Sequence, residues 1–216
     1  MYAWHPGTMG GPAIADLLFG DATPSGKLPV SFPKMVGQIP IYYNQRNSGK
    51  PATHESFTHI DHIPSRATQT SVGNTAFHLD AGFEPLYPFG YGLSYARFEY
   101  YNLRQSEDTF TLKQTLEIQV DVHNPSRFEG DEVVQLYIRD VAGNITRPVK
   151  ELKGFKRVNL APGETKNVTF KIKPRDLSFY DRNNKLITEP GLFHFWVGGN
   201  SNAELGSKFH LINNQK

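Results

Sequence analysis

The chain has 216 residues, with 23 Lys or Arg against 21 Asp or Glu, and these charges are dispersed, so no electrostatic footprint of a nucleic-acid binder or a membrane-surface binder is visible. Hydrophobic residues make up 38%, and 15 Phe with 10 Tyr supply the bulk of a packed core, which excludes global disorder. Cysteine is absent, which removes disulfides and thiolate chemistry, and no segment is apolar for long enough to predict a membrane span.

The first residues, MYAWHPGTMGGPAIADLLFG, lack the basic start and unbroken apolar run of a secretory signal. From Gly11, Ile14, Leu17 and Leu18 recur at helical spacing and stop at Gly20, which predicts one short buried helix. A turn at Pro24-Ser25-Gly26 leads into Leu28–Pro33, an extended segment whose prolines cannot donate to a ladder and so belong at an edge. One helix and one strand cannot enclose a core, so residues 1–48 read as the terminal αβ unit of an α/β domain lying mostly upstream. Residues 49–97 form a long loop, rich in Ser, Thr, His and Asn, that ends in Pro85-Leu86-Tyr87-Pro88-Phe89-Gly90-Tyr91-Gly92. Alternating glycines and aromatics there predict a packed linker, with Tyr87, Phe89 and Tyr91 wedged between its neighbours.

Over residues 98–213 the pattern changes to short alternating strands separated by turn residues. Leu116, Ile118, Val120 and Val122 alternate with polar residues, as do Val134, Leu136 and Ile138, then Val168, Phe170 and Ile172, then Phe193, Phe195 and Val197. Asn124-Pro125, Pro162-Gly163 and Pro190-Gly191 mark turns. About seven strands fit, which predicts a mainly β protein: a fibronectin III or immunoglobulin-like antiparallel sandwich preceded by an αβ unit and a long linker.

Several motifs then carry a resemblance in the same order. Trp4-His5-Pro6-Gly7, Gly10–Asp21 and Pro24–Pro29 resemble the closing αβ unit of the second domain of family 3 glycoside hydrolases, the β-glucosidases and β-xylosidases. Leu86–Tyr95 is similar to that family's entry into its fibronectin III-like domain, and Arg147–Phe155 and Leu160–Thr165 to later motifs of that domain. The resemblance implies a part of a retaining β-glycosidase, active on a β-linked oligosaccharide or glycoside in the parent, which is expected to be periplasmic or secreted. Retention needs a nucleophilic carboxylate and an acid/base about 5 Å apart. By resemblance the nucleophilic Asp belongs to an N-terminal barrel and the acid/base Glu to the sandwich domain upstream, so the missing barrel and α/β domains are the implied partners and no catalytic residue carries over to this chain.

The remaining candidates point the same way. Asp16 and Asp21 sit where solvated surface charges are common, and no apolar pocket that would raise an acid's pKa is indicated. His54, His59, His62 and His78 cluster in the long loop, but a loop rich in Thr and Ser promises no second shell for a metal, so neither a metal nor a cofactor is expected. Phe57, Phe77 and Phe83 are the candidates for stacking on sugar, while anchoring the loop is the plainer role. Trp196 is expected to fill a core or interface, Trp4 is undecided, and Lys27 is expected in a structural salt bridge or in solvent. Ser25 lacks the setting of a nucleophile elbow, and Gly7, Gly10 and Gly11 lack the Lys-Ser/Thr of a phosphate loop. Asn144 and Asn167 begin glycosylation sequons. The competing reading is a stand-alone carbohydrate-binding or adhesive sandwich, and a homodimer is left open.

Overall fold

The computed structural model describes residues 1–68 and 75–213. Among these, α1 (Gly10–Phe19) precedes a run of strands: β1 (Glu99–Gln105), β2 (Thr109–Thr111), β3 (Leu116–His123), β4 (Gly130–Asp140), β5 (Glu151–Leu160), β6 (Thr165–Ile172), β7 (Phe179–Tyr180), β8 (Leu186–Ile187), β9 (Gly191–Gly198) and β10 (Gly206–Ile212). Single 3-10 turns occur at Val36–Gln38, Ile60–His62 and Pro174–Leu177.

The strands form a sandwich. A three-stranded sheet, β1-β3-β6, faces a five-stranded sheet, β2-β10-β9-β4-β5, and β7 pairs with β8 in a small hairpin. Period-two alternation decides which side chains enter the core. In β3 the residues alternate buried and half-buried along the whole strand, and Leu116, Ile118, Val120 and Val122 are completely excluded from solvent. Val134, Leu136 and Ile138 of β4 join Val168, Phe170 and Ile172 of β6 in the same cluster, with Phe193, Phe195 and Val197 of β9 completing it. Phe209 of β10 stacks on Phe193 at 5.2 Å and meets Phe110 of β2 edge-on at 5.5 Å.

Turn chemistry closes the strands. Buried Asn124 donates its amide to the Phe128 and Leu160 carbonyls, while its own carbonyl oxygens receive the Ser126 and Gly163 N–H groups. The Asp181 carboxylate likewise accepts the Asn183 and Lys185 N–H groups and shapes the β7–β8 turn.

Three details differ from the sequence expectation. The β2–β10 pair is parallel, because the three-residue β2 joins at the edge of the sheet, where its one buried side chain, Phe110, covers Phe209. The helix ends as expected, with Gly20 left-handed at φ 87° and its N–H on the Asp16 carbonyl, but only Gly10 of α1 is buried. Leu18 and Phe19 are 61% and 84% exposed while Ile14 and Leu17 are half-buried, so the described residues cover the apolar stripe only in part. Finally, Leu28–Pro33 makes no regular strand: it pairs with 86–91 at the Phe32–Tyr87 bridge, with five backbone hydrogen bonds in all, since prolines interrupt both partners.

An under-covered helix and a closed sandwich differ in resistance to opening. Limited proteolysis of the chain should therefore cut within residues 1–24 first and leave residues 98–213 as a stable core, read by mass spectrometry of the fragments. Early cleavage inside β3, β4 or β9 would contradict this.

Candidate functional site

The distinctive chemistry gathers where the N-terminal third meets the outer face of the five-stranded sheet. The linker residues 86–92 lie between Leu28–Phe32 and the sandwich. From one side the Leu28 carbonyl accepts the Gly90 N–H and the Leu28 N–H donates to the Tyr91 carbonyl, both at 2.8 Å, and from the other the Ser201 N–H reaches the Phe89 carbonyl at 2.9 Å. Two glycines permit this closeness. Gly90 is left-handed at φ 78°, and a Cβ there would lie 2.2 Å from the Gln135 side-chain oxygen; at Gly92 it would lie 2.5 Å from the Gly26 carbonyl. Phe89 stacks on Tyr43 at 4.3 Å, and Tyr87 on Tyr91 at 5.1 Å.

Beneath the linker, β4 is covered on both faces. Gln135 and Tyr137 point away from the core yet are buried. The Gln135 amide donates to the Gly90 and Gly199 carbonyls, and its oxygen accepts the Tyr137 hydroxyl. Burial pushes the Tyr137 phenol well above its ordinary range, with neighbouring Tyr43 adding to the shift. At the near end of β4, Lys27 forms a buried ion pair with Glu132 at 3.0 Å, and the Tyr100 hydroxyl donates to the same carboxylate oxygen at 2.7 Å. Lys27 thus takes the first of its two expected roles, a structural salt bridge. Burial, reinforced by the Glu132 carboxylate, pushes the Tyr100 phenol well above its usual value.

A cleft of about 330 Å³ opens beside Tyr42, Tyr43, Phe83, Arg139, Lys150 and Trp196. Lys150 donates to the Ser201 and Ala203 carbonyls and lies 4.5 Å over the Trp196 ring. With no carboxylate against it among the described residues, burial pulls its amine down to about 8. Trp196 is therefore an interface residue capped by a cation.

The three candidate phenylalanines converge in the long loop. Phe57 meets Phe77 at 5.3 Å and Phe83 at 6.4 Å, both edge-on, and all three are half-buried. His54 lies 5.4 Å from Phe83 with its Nε2 3.2 Å from Glu84, His59 and His62 are 6.1 Å apart, and exposed His78 bridges to Gly82. Among the described residues, no three His, Asp or Glu side chains converge as a metal site would require. Asp16 and Asp21 are exposed on and just beyond α1, and Trp4 leans on Phe32 at 6.3 Å. Ser25 accepts a hydrogen bond from Arg157. Asn144 is exposed in the β4–β5 loop, whereas the Asn167 amide is engaged with Asp121.

A sandwich bonded in this way to an αβ tail defines a class, a β-sandwich domain joined to the last unit of a preceding α/β domain, and the comparisons place it in a family. The description "Glycosyl hydrolase family 3 C-terminal domain" matches residues 1–95, and "Fibronectin type III-like domain" matches residues 132–201. A periplasmic β-glucosidase of Salmonella typhimurium is 42% identical over 97% of this chain and 26% of its own length. A β-xylosidase of Formosa agariphila is 38% identical over 93% and 25%. The crystal structure of a β-glucosidase from Listeria innocua in complex with isofagomine superposes with a TM-score of 0.84 at 39% identity, covering 98% of this chain and 27% of that one. The chain belongs to glycosyl hydrolase family 3. It spans about a quarter of the length of the relatives it matches.

Sequence reasoning missed Glu132, Gln135, Tyr137, Arg139 and Lys150. Gln135, Tyr137 and Arg139 occupy outward positions of β4, which alternation assigns to solvent; Glu132 is a carboxylate at an inward position of the same strand, and Lys150 lies in the loop just before β5, so periodicity alone marks neither.

Two measurements test this junction. Lys27→Met should cost about 3–5 kcal/mol in urea denaturation, because it strands the Glu132 carboxylate, and adding Glu132→Gln should recover most of that loss. Equal costs for the single and double variants would show that the pair is uncoupled. For Lys150, a lowered folded-state pKa means the unfolded chain binds more protons between pH 8 and the ordinary lysine range. Stability of the wild type should therefore rise across that window relative to Lys150→Met, and parallel pH profiles would contradict this.

Proposed function

We propose that this chain is the C-terminal part of a retaining β-glycosidase acting on β-linked glucosides or xylosides, with the nucleophile and acid/base on domains outside it. The observation that carries this is the exposed apolar surface of the segment matched as a family 3 domain. Met9, Leu18, Phe19 and Val36 are 69%, 61%, 84% and 84% exposed, which fits burial against the rest of that domain. Relatives named β-glucosidase and β-xylosidase support the substrate class. The sandwich serves to hold the linker and the long loop at the domain junction, and Phe57, Phe77 and Phe83 brace that loop as one wall of the sugar pocket. The parent works in the periplasm or outside the cell, a reading supported by the relative named periplasmic β-glucosidase. No helix among the described residues is long and apolar enough to cross a membrane. A stand-alone sugar-binding module has less behind it, because Lys150 covers Trp196, its best stacking platform.

The test is a chimera in which this chain replaces the corresponding quarter of the Salmonella relative. The chimera should hydrolyse aryl β-glucosides or β-xylosides, the isolated chain should not, and Phe19→Glu should lower the chimera's activity by disrupting docking. Turnover by the isolated chain, abolished by replacing one of its own carboxylates, would overturn the proposal.

A further inference from the structure

The cleft beside the linker holds a nucleophile for which the glycosidase reading has no use. Lys150, the residue before β5, lines this opening of about 330 Å³ together with Tyr42, Phe83, Arg139, Trp196 and Ser201. Its amine sits 2.8 Å from the Ser201 carbonyl and 4.5 Å from the centre of the Trp196 ring, and both of those residues belong to the cleft wall. The amine is therefore part of that wall. A second carbonyl, that of Ala203, lies at 3.4 Å, and the Tyr137 ring at 5.8 Å.

An ammonium half-withdrawn from water ordinarily has a carboxylate beside it, and among the described residues none reaches this one. Glu84, the carboxylate that lines the cleft, holds His54 at 3.2 Å, and Glu151, the next residue along the chain, holds Arg147 at 2.8 Å. Arg139 contributes a second positive charge to the wall, which favours a neutral amine, and Tyr42 and Tyr43 are the other titratable groups there. Lys27 and Lys153 are also largely withdrawn from water, but they pair with Glu132 at 3.0 Å and Glu151 at 3.6 Å. Lys150 has only carbonyl dipoles and ring faces. Once neutral, its amine keeps two N–H donors, one for each carbonyl, and has a lone pair left over. The burial that draws it down to about 8 leaves about a quarter of it unprotonated at pH 7.5, against about one part in a thousand for an ordinary lysine.

We infer that Lys150 is a carbonyl-reactive amine and that the cleft is a site of covalent modification by small polar aldehydes, of which open-chain hydroxyaldehydes are the type. The Nζ lone pair forms a bond to the aldehyde carbon while the π pair of the C=O moves to oxygen. A proton passes from nitrogen to that oxygen, and the carbinolamine then gives up its hydroxyl and the remaining nitrogen-bound proton as water, leaving an imine. Neither an oxidant nor a reductant is consumed. The protonated imine retains one N–H, enough for the nearer Ser201 carbonyl, so the adduct gives up only the longer bond to Ala203. A volume of about 330 Å³ admits an aldehyde of a few carbons, and Gln45, Tyr42 and Asn202 on the wall offer polar contacts to its hydroxyls. The inference stands independently of the proposed glycosidase activity, because it requires only residues of this chain.

The experiment incubates the 216-residue chain with glycolaldehyde and cyanoborohydride, which traps the imine as a secondary amine, and reads the rate at each lysine by peptide mass spectrometry. At pH 7.5 Lys150 should be alkylated at least about five-fold faster than exposed Lys113, Lys185 and Lys208, since its larger neutral fraction outweighs its partial cover and the slower attack of a less basic nitrogen. That ratio should fall at least about ten-fold between pH 7.5 and pH 10, as the exposed lysines lose their protons and Lys150 has none left to lose. In denaturing urea the preference should vanish. Alkylation of Lys150 no faster than the exposed lysines, a ratio constant with pH, or a preference that survives unfolding would each overturn the assignment.

Discussion

The Gln135 side chain is the bond on which the two halves of this chain depend. It is 3% exposed, and it reaches the linker at Gly90, the β9–β10 turn at Gly199 and the hydroxyl of Tyr137 from one position on β4. Such an amide satisfies groups that would otherwise be buried without partners, so its loss would cost more than one average hydrogen bond. Linker, strand and turn are therefore held in one geometry. The stacking of Phe89 on Tyr43 and the Lys27–Glu132 pair follow from it, since both require the linker to lie where Gln135 puts it.

How much was legible in the sequence follows from the range of each interaction. The long strands announce themselves locally: the alternation in Leu116–His123 survives intact as buried and half-buried positions, and Gly20 ends its helix in the left-handed conformation. The aromatics and glycines of the linker also forecast a packed rather than solvated segment. The outer face of β4 could not be read this way. Gln135 and Tyr137 occupy positions that alternation assigns to solvent, and only contact with residues some forty or more positions away buries them. The helix was misjudged for the converse reason. Its stripe of Ile14, Leu17 and Leu18 asks for a covering layer, and the described residues of this chain half-bury the first two and leave Leu18 exposed.

The candidate sites divide along the same line. Phe57, Phe77 and Phe83 could be grouped in advance because they share one loop, and they do meet. Tyr42, Lys150 and Trp196 come from three distant segments, so nothing in their spacing announces a common cleft. Lys150 sits inside a motif that the family resemblance picked out, yet its capping of Trp196 emerges only from the fold.

The placement of β5 at the rim of the five-stranded sheet has a consequence for handling the molecule. A ten-residue strand whose outer edge has no strand partner among the described residues is a template on which a second chain could add its own backbone. Here that rim carries Lys153, Lys156 and Arg157, with Arg157 tied to Asp131 and Ser25. Bringing two such rims together would juxtapose like charges, so chains concentrated in solution are discouraged from joining sheet to sheet. Self-association of the isolated polypeptide is then steered away from β5 and toward the exposed Leu18 and Phe19 of α1, where a charged replacement such as Phe19→Glu would oppose it.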